Sequence, residues 1–423
     1  MSDYDSIKSS IQQGHNIFLT GPGGVGKSFY INKLKDELKD EIVLTSTTGV
    51  SSYNLKAMTI HSFTGIGVFK IGDKAEGVIQ KMKKFKTYEP AKTRVRKYSI
   101  LVIDEVSMLG KGFLEMINKV LQVLRGNEKI FGGYQVIFTG DFMQLPPVND
   151  EYCFKSSVWK DLNFNVINLT KLYRFNDDLY SSLLSRVRLG KNTKEDNQEL
   201  FKRYFAYKKY KEEEDKEEED DQKIDLKIKP TFLYSKKVNV NDKNLEELHK
   251  NSNDLITFKA RYSEQHKLCK IDLDKLDSNL YLKIGAQVML TTNIDVESGL
   301  VNGSRGVVLN YDSGILTVKF LNGMEIGFSR HTYTVEEDGK VMYKIEQYPF
   351  ILAYALSIHK VQGCTLDYAI IDIGHSVFEE NMSYVALSRV RNLQGLFLLN
   401  FQPYKIMPAK EALEFYELLK LLK

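Results

Sequence analysis

Short apolar runs that stop at a polar residue recur along this chain, and between them apolar positions return every three or four residues. NIFLT (16–20), EIVLTSTTG (41–49), SILVIDE (99–105), YQVIFTGD (134–141) and FNVINLT (164–170) are of the first kind. Unbroken apolar runs of this length predict strands buried on both faces, as in a parallel sheet whose ligands gather at the C-terminal strand ends. Phe29, Tyr30, Ile31, Leu34 and Leu38 are spaced for a helix after the first of these strands. A second set, PTFLYS (230–235), ILAYALSIH (351–359), AIIDIG (369–374) and LFLLNF (396–401), predicts a second α/β unit. Residues 304–348 change period: VVLNY, ILTVKF, EIGF and VMYKIEQY alternate and are separated by DSG, NG and EEDG. Those are hairpin signals, so a small antiparallel barrel is expected inside the second unit. Val78, Ile79, Met82 and Phe85 form one helical stripe, read as packing, and no internal repeat of fixed period is present.

The join between the first strand and its helix reads GPGGVGKS (21–28). Gly21, four residues, then Gly26, Lys27 and Ser28 fit the P-loop, in which glycines let backbone amides surround phosphate oxygens at a helix N-terminus. Lys27 would reach the β and γ phosphates and Ser28 would hold Mg²⁺. Asp104 and Glu105 close the strand 99–105 at the same sheet edge. In a P-loop ATPase one such acid holds Mg²⁺ through water and the next activates the attacking water; alone, they are equally ordinary turn acids. Gln144 in GDFMQLPPV (140–148) is placed either to sense the γ-phosphate or simply to fill a rigid turn.

A chain of 423 residues is expected to form two or three domains. The segment Lys211–Asp221 holds nine acids and two lysines; outside it 57 Lys and Arg face 46 acids, a net +11 that suits a polyanionic partner. The acidic run itself reads as a solvated, disordered insertion. Cys153, Cys269 and Cys364 have neither zinc nor disulfide spacing, which fits a reducing compartment. No apolar run approaches 18 residues and the polar N-terminus resembles no signal, so a soluble, intracellular protein of nucleus or cytoplasm is expected, with no membrane partner.

With these motifs quoted in order, the chain resembles the Pif-one family of superfamily 1B DNA helicases, RecD-like in the wider sense. The resemblance rests on GPGGVGKS, TSTTGVSS with TIHSFTGIG, VIDEVSML, FGGYQVIFTGDFMQLPPV, LTKLYR, LKIGAQVMLTTN with GLVNGSRG, ALSIHKVQGCTLD and YVALSRV, and it covers nearly the whole chain. It implies an α/β fold with two RecA-like parallel-sheet domains, a small wedge insertion in the first and an SH3-like β-barrel insertion in the second. By position, residues 1–66 and 98–171 form domain 1A and residues 67–97 the basic wedge 1B. Residues 172–290 and 350–423 form domain 2A, with a disordered acidic loop at 209–222, and residues 291–349 form domain 2B.

The resemblance also implies roles. Gly21, Pro22, Gly23, Gly24, Val25, Gly26, Lys27, Ser28, Gln144 and Gly363 bind ATP. Lys27 contacts phosphate, Ser28 and Asp104 hold Mg²⁺, Glu105 activates water, and Gln144 couples the γ-phosphate to movement. Arg174 and Arg389 act as arginine fingers from the second domain; either alone would otherwise be a surface ion pair. Thr47, Thr48, His61, Ser62, Phe63, Ser357, His359 and Lys360 contact DNA through hydroxyls, basic groups and a stacking ring. His359 as a packed histidine and Phe63 as a core aromatic are the competing readings. The wedge, with ten Lys or Arg against three acids in 70–97, would meet the duplex.

The function implied is an ATP-dependent helicase moving 5′ to 3′ on single-stranded DNA and opening duplex, forked or structured DNA in replication, repair, recombination or telomere maintenance, acting as a monomer. The rival is a DNA-stimulated P-loop ATPase that clamps nucleic acid without processive unwinding. A GTPase is disfavoured because no Asn-Lys-x-Asp segment is present. One departure stands out: the family's adenine-reading Gln, about 18 residues before the P-loop, falls here on Asp3, and Gln12 and Gln13 lie too near the loop.

Overall fold

The computed structural model describes the chain except for residues 1, 49–50, 53–54, 56, 68, 70–71, 86–87, 176, 218–227, 264–277, 293, 296–297, 299, 301–302, 338–339 and 421–423. Two compact units emerge. The first contains residues 1–194, 379–392 and 406–423; the second contains residues 195–378 and 393–405.

In the first unit the strands β1 (Ile17–Thr20), β2 (Ile42–Ser46), β3 (Met58–Thr59), β4 (Ile100–Asp104), β5 (Gln135–Gly140) and β6 (Asn165–Asn168) form one parallel sheet in the order β3-β2-β4-β5-β1-β6. Successive residues of a strand point to opposite faces, and here each face has its own core. Phe18, Val43, Leu101, Ile103, Val136 and Phe138 face one way, against the helix Lys111–Arg125 and an aromatic cluster of Phe142, Trp159 and Phe415. Ile17, Leu19, Ile42, Leu44, Ile100, Val102 and Ile137 face the other, against Ile7, Ile31 and Leu34 of the first two helices. Both faces are covered, so the strands read as continuous apolar runs.

The interval expected to be a wedge carries two basic helices, Ala75–Lys84 and Glu89–Lys97. Met82 and Val95 are buried in the first of those cores and Val78 and Ile79 pack against it, so Val78, Ile79 and Met82 of the stripe are packing, as read.

The second unit has a four-stranded parallel sheet in the order Ala355–Ser357, Thr231–Tyr234, Ala369–Ile373, Leu396–Phe401, which matches all four runs named from the sequence. Its antiparallel part includes a sheet of Glu325–Phe328, Ile315–Phe320, Arg305–Asp312, Gln287–Leu290 and Phe350–Leu352.

Three boundaries differ from expectation. Antiparallel pairing begins before residue 291, because Ile256–Lys259 pairs with Asn279–Leu282, and Phe258, Leu280 and Leu282 join the same core as Val308, Val318 and Phe320. Residues 172–194, 379–392 and 406–423, expected in domain 2A, belong to the first unit: Ala409, Ala412 and Tyr416 are buried in its core. The acidic loop expected at 209–222 is helical as far as it is described, since the helix Lys194–Glu217 runs through it and residues 218–222 lie outside the described residues. Lys and Glu are good helix formers, and Lys209 pairs with Glu213 one turn on.

Candidate nucleotide and nucleic-acid site

The loop 21–28 connects β1 to the helix Lys27–Leu38 with the backbone its glycines permit. Gly26 caps that helix at φ +85°, and Gly24 stands at φ +91° with Arg174 so close that a Cβ at Gly24 would lie 2.6 Å from the Arg174 Cβ. Both conformations are costly for other residues. The amides of Tyr173 and Arg174 donate to the Gly24 carbonyl at 2.9 and 3.3 Å, so the LTKLYR segment is tied to the loop. Half-buried Lys27 donates from Nζ to the carbonyls of Gly21 (2.7 Å) and Pro22 (3.0 Å). Burial pulls its pKa down, and the charges of Asp141, Glu105 and Asp104 oppose that pull. The anticipated lysine and carboxylates thus act on one another, joined by an aspartate that was not anticipated.

Asp104 ends β4 with its carboxylate buried. Burial, and then the neighbouring charge of Glu105, push its pKa up to about 7, against a hydrogen bond of 2.7 Å donated by Ser51 Oγ. Glu105 adopts φ +55°, a conformation uncommon outside glycine that accumulates at functional sites. Thr47 is bonded to the same pair: its amide donates to the Asp104 carbonyl at 3.1 Å and its hydroxyl to the Glu105 carbonyl at 2.9 Å. Gln144 is buried and its Oε1 has no hydrogen-bond partner among the described residues.

Asp141, fully buried after β5, accepts from Arg188 Nε (3.0 Å) and Nη2 (2.6 Å) and from the Tyr416 hydroxyl (3.2 Å). Burial works against the Arg188 charge, but the Asp141 carboxylate outweighs it and holds the guanidinium pKa above its ordinary value. Arg389 is 1% exposed and donates from Nε to the Val385 carbonyl at 2.8 Å and from Nη2 to Ser388 Oγ at 2.7 Å. A Cβ built on Gly23 would lie 3.8 Å from Arg174 Nη1 and 4.0 Å from Arg389 Nη2, so both arginines reach the P-loop. Both also lie in the first unit, not in the second as expected.

Of the residues expected at DNA, Phe63 is misplaced. It is fully buried in the first unit's core, because Ile60, Phe63 and Thr64 share the inner face of the helical turn Ile60–Thr64. Arg94 closes over it, its Cζ 5.9 Å from the ring and its Nε donating to the Phe63 carbonyl at 3.2 Å. Ser62 on the same turn is exposed, and half-buried His61 stacks on Phe113 at 4.3 Å. Thr48 Oγ1 accepts from the Ser51 amide at 3.2 Å. In the second unit Ser357 ends a strand and is buried, His359 is half-buried, Lys360 is exposed, and Gly363 turns at φ +82°.

Sequence reasoning missed Ser51, Asp141, Arg188, Tyr384 and Tyr416. Ser51, Asp141 and Tyr384 lay inside quoted motifs, and an aspartate at the end of a buried strand calls for a cationic partner. Nothing local marks Tyr416, 275 residues from the aspartate that it contacts.

Comparison with known proteins points to one family. The family model for PIF1-like helicases matches residues 2–198, and that for the 2B domain of the DNA helicase Pif1 matches residues 276–311. The chain is 33% identical over 415 residues to the ATP-dependent DNA helicase Pif1 of Bdellovibrio bacteriovorus, covering 96% of this chain and 89% of that one. It is 33% identical over 428 residues to human ATP-dependent DNA helicase PIF1, covering 98% of this chain but spanning 63% of the human protein. Pif1 helicase from Candida albicans superposes with a TM-score of 0.84 at 29% identity over 99% of both chains. Pif1 from Bacteroides in complex with ADP-AlF3 and single-stranded DNA superposes with a TM-score of 0.77 at 27% identity, over 99% of this chain and 96% of that one.

Proposed function

The chain belongs to the PIF1-like helicase family, and on that premise we propose that it is an ATP-dependent DNA helicase that binds single-stranded and forked DNA and moves 5′ to 3′. The observation that carries this reading is a pair of attachments to the end of β4: Thr47 to the backbone of Asp104 and Glu105, and Ser51 to the Asp104 carboxylate. A strand passing over Thr47 and Thr48 acts through these bonds on the two acids that serve hydrolysis.

The site residues divide the chemistry. P-loop amides and Lys27 hold the phosphates. Glu105 takes a proton from the attacking water, and the free Gln144 Oε1 accepts a hydrogen bond from it. Arg174 and Arg389 stabilise charge on the transferring phosphoryl group. Ser28 offers an exposed hydroxyl and Asp104 a carboxylate, an all-oxygen pair of the kind that holds Mg²⁺ together with substrate phosphates. The metal, when bound, neutralises phosphate charge. Ser62, His359 and Lys360 bind the DNA backbone, and the protein acts as a monomer where DNA is processed, in nucleus or cytoplasm. No helix among the described residues is long and apolar enough to cross a membrane.

The test has two arms. Single-stranded DNA should raise the ATPase rate by about tenfold or more, that is, lower the barrier by about 1.4 kcal/mol or more. Matched duplexes with a 5′ or a 3′ single-stranded tail should be opened from the 5′ tail. DNA-stimulated hydrolysis with neither duplex opened would leave a clamp in place of a helicase.

A further inference from the structure

Tyr384 lies in the helix Met382–Leu387 of the first unit, 4% exposed, and its hydroxyl accepts a hydrogen bond from the Gly23 amide at 3.2 Å. Among the described residues this is the one hydrogen bond given to that hydroxyl. A phenol offers one O–H donor as well as its acceptor capacity, and here Gly23 engages the acceptor side while the donor is left to point elsewhere. A Cβ built on Gly23 would lie 3.8 Å from this oxygen, 3.8 Å from Arg174 Nη1 and 4.0 Å from Arg389 Nη2. Three donors from two segments far apart in the chain, Arg174 from one and Tyr384 and Arg389 from the other, therefore converge on the space beside one P-loop glycine. Burial, and then the charge of Asp141, raise the Tyr384 pKa above its ordinary value, against Arg188 and the Gly23 amide, so the hydroxyl keeps its proton near neutral pH.

We propose that Tyr384 is a third side chain on the terminal phosphoryl group: its hydroxyl, aimed by the Gly23 amide, donates a hydrogen bond to a γ-phosphate oxygen between Arg174 and Arg389. The inference rests on the reading of residues 21–28 as a nucleoside triphosphate site. Tyr384 transfers no proton. As the bond from water oxygen to phosphorus forms and the bond to the ADP oxygen breaks, the water proton passes to Glu105, while the phenol only shares its hydrogen with the more strongly charged phosphoryl oxygens. A neutral donor there adds to the two cations without the cost of burying a third charge. It also distinguishes a nucleotide that has a terminal phosphate from one that lacks it.

Tyr384→Phe in the full chain keeps the ring and removes only the hydroxyl. Affinity is measured with fluorescent ADP, then with ADP plus aluminium fluoride and with the imido analogue of ATP. ADP affinity should stay within about twofold, and affinity for the other two should fall about tenfold to a hundredfold, the scale of a hydrogen bond to a charged group. KM for ATP should rise in step with the loss of the imido analogue, and kcat should fall as well to the extent that the hydrogen bond strengthens in the transition state. Incorporating 3-fluorotyrosine at 384, which restores the hydroxyl, should restore the difference between ADP and its aluminium fluoride complex. Equal losses for ADP and the terminal-phosphate mimics would reduce Tyr384 to an anchor of the P-loop and overturn the proposal, as would no loss for any of them. Lys27→Ala serves as the control: if it leaves ADP and aluminium fluoride binding intact, the triphosphate reading of the loop fails, whatever Tyr384 does.

Discussion

The P-loop end of the first unit and the segments assigned to DNA are made in different ways. Residues 21–28 take their form from the main chain, with glycines at positive φ and a lysine bonded to loop carbonyls. Residues 59–64 and 357–360 are ordinary turns and strand ends, and what they offer depends on which side chains point outward. Ser62 and Lys360 do; Phe63 does not. A site made by backbone is fixed by residue types that few other structures require. A site made by side-chain direction is decided by the local face, which a motif does not state.

If the comparison holds, removing one charge at the P-loop should be far more damaging than removing any one group at the DNA side. Lys27→Ala should lower ATP hydrolysis by about 10³ or more with fold and DNA affinity retained, and Arg174→Ala and Arg389→Ala should each lower turnover on the same scale, that of a lost arginine finger. Steady-state ATPase rates with thermal melting of each variant check this. A Lys27→Ala protein with more than about a tenth of the parent rate, within one factor of ten or 1.4 kcal/mol, would break the comparison at its first term.

What could be read in advance follows the same division. The parallel strands were legible because burial on both faces leaves them apolar from end to end, and the P-loop because its glycines are obligatory. The ion pair of Asp141 with Arg188, 47 residues away, and the bond from Gly23 to Tyr384, 361 residues away, were not legible. Long-range polar pairs leave no local period. Domain membership failed for a related reason: Ala409, Ala412 and Tyr416 sit on a short helix whose apolar face gives no sign of which sheet it covers.

The next two effects sharpen the comparison through stability. Phe63→Ala should cost about 3–5 kcal/mol, the range for a large buried aromatic, seen as a lower urea midpoint, while the folded fraction binds DNA as before. Unchanged stability together with weaker DNA binding would return Phe63 to the DNA surface. Arg188→Ala leaves a buried carboxylate without its cation and should cost a similar 3–5 kcal/mol. Asp141→Asn in that background should recover part of the loss, which a double-mutant cycle reads directly.

At the exposed DNA groups the expected effects are smaller. Lys360→Ala should weaken single-stranded DNA binding equally for all sequences and reduce the salt slope of log K by about 1, the signature of one lost phosphate contact. Titrations at several salt concentrations measure it. A sequence-dependent loss with an unchanged slope would mean that Lys360 reads bases, and the DNA side would then be more specialised than its exposed turns imply.

The smallest expected effect concerns the nucleobase, where the P-loop side itself stops being made by backbone. Reading adenine needs groups matched to its N6 donor and N7 acceptor, a task suited to Asn or Gln, and the expected position holds Asp3. Tyr4 is removed as a substitute reader: it is 8% exposed, its ring stacks on Tyr30 at 6.0 Å and Lys33 Nζ lies 3.9 Å from its centroid. Tyr173 is instead 55% exposed, and a Cβ at Gly26 would lie 3.6 Å from its ring, so an aromatic face stands beside the P-loop. Stacking on such a face is worth about 1–3 kcal/mol for any base and distinguishes little between them. With no buried polar group left unpaired by the wrong base, discrimination is lost. GTP and CTP should therefore be hydrolysed within about tenfold of ATP in kcat/KM, a window of about 1.4 kcal/mol, and Tyr173→Ala should raise KM for all of them by a common factor. DNA-stimulated hydrolysis of the four nucleotides by both proteins decides it. A preference for ATP beyond about a hundredfold, or 2.7 kcal/mol, would overturn this reading and point to Asp3 or a main-chain carbonyl of the first helix as the adenine reader.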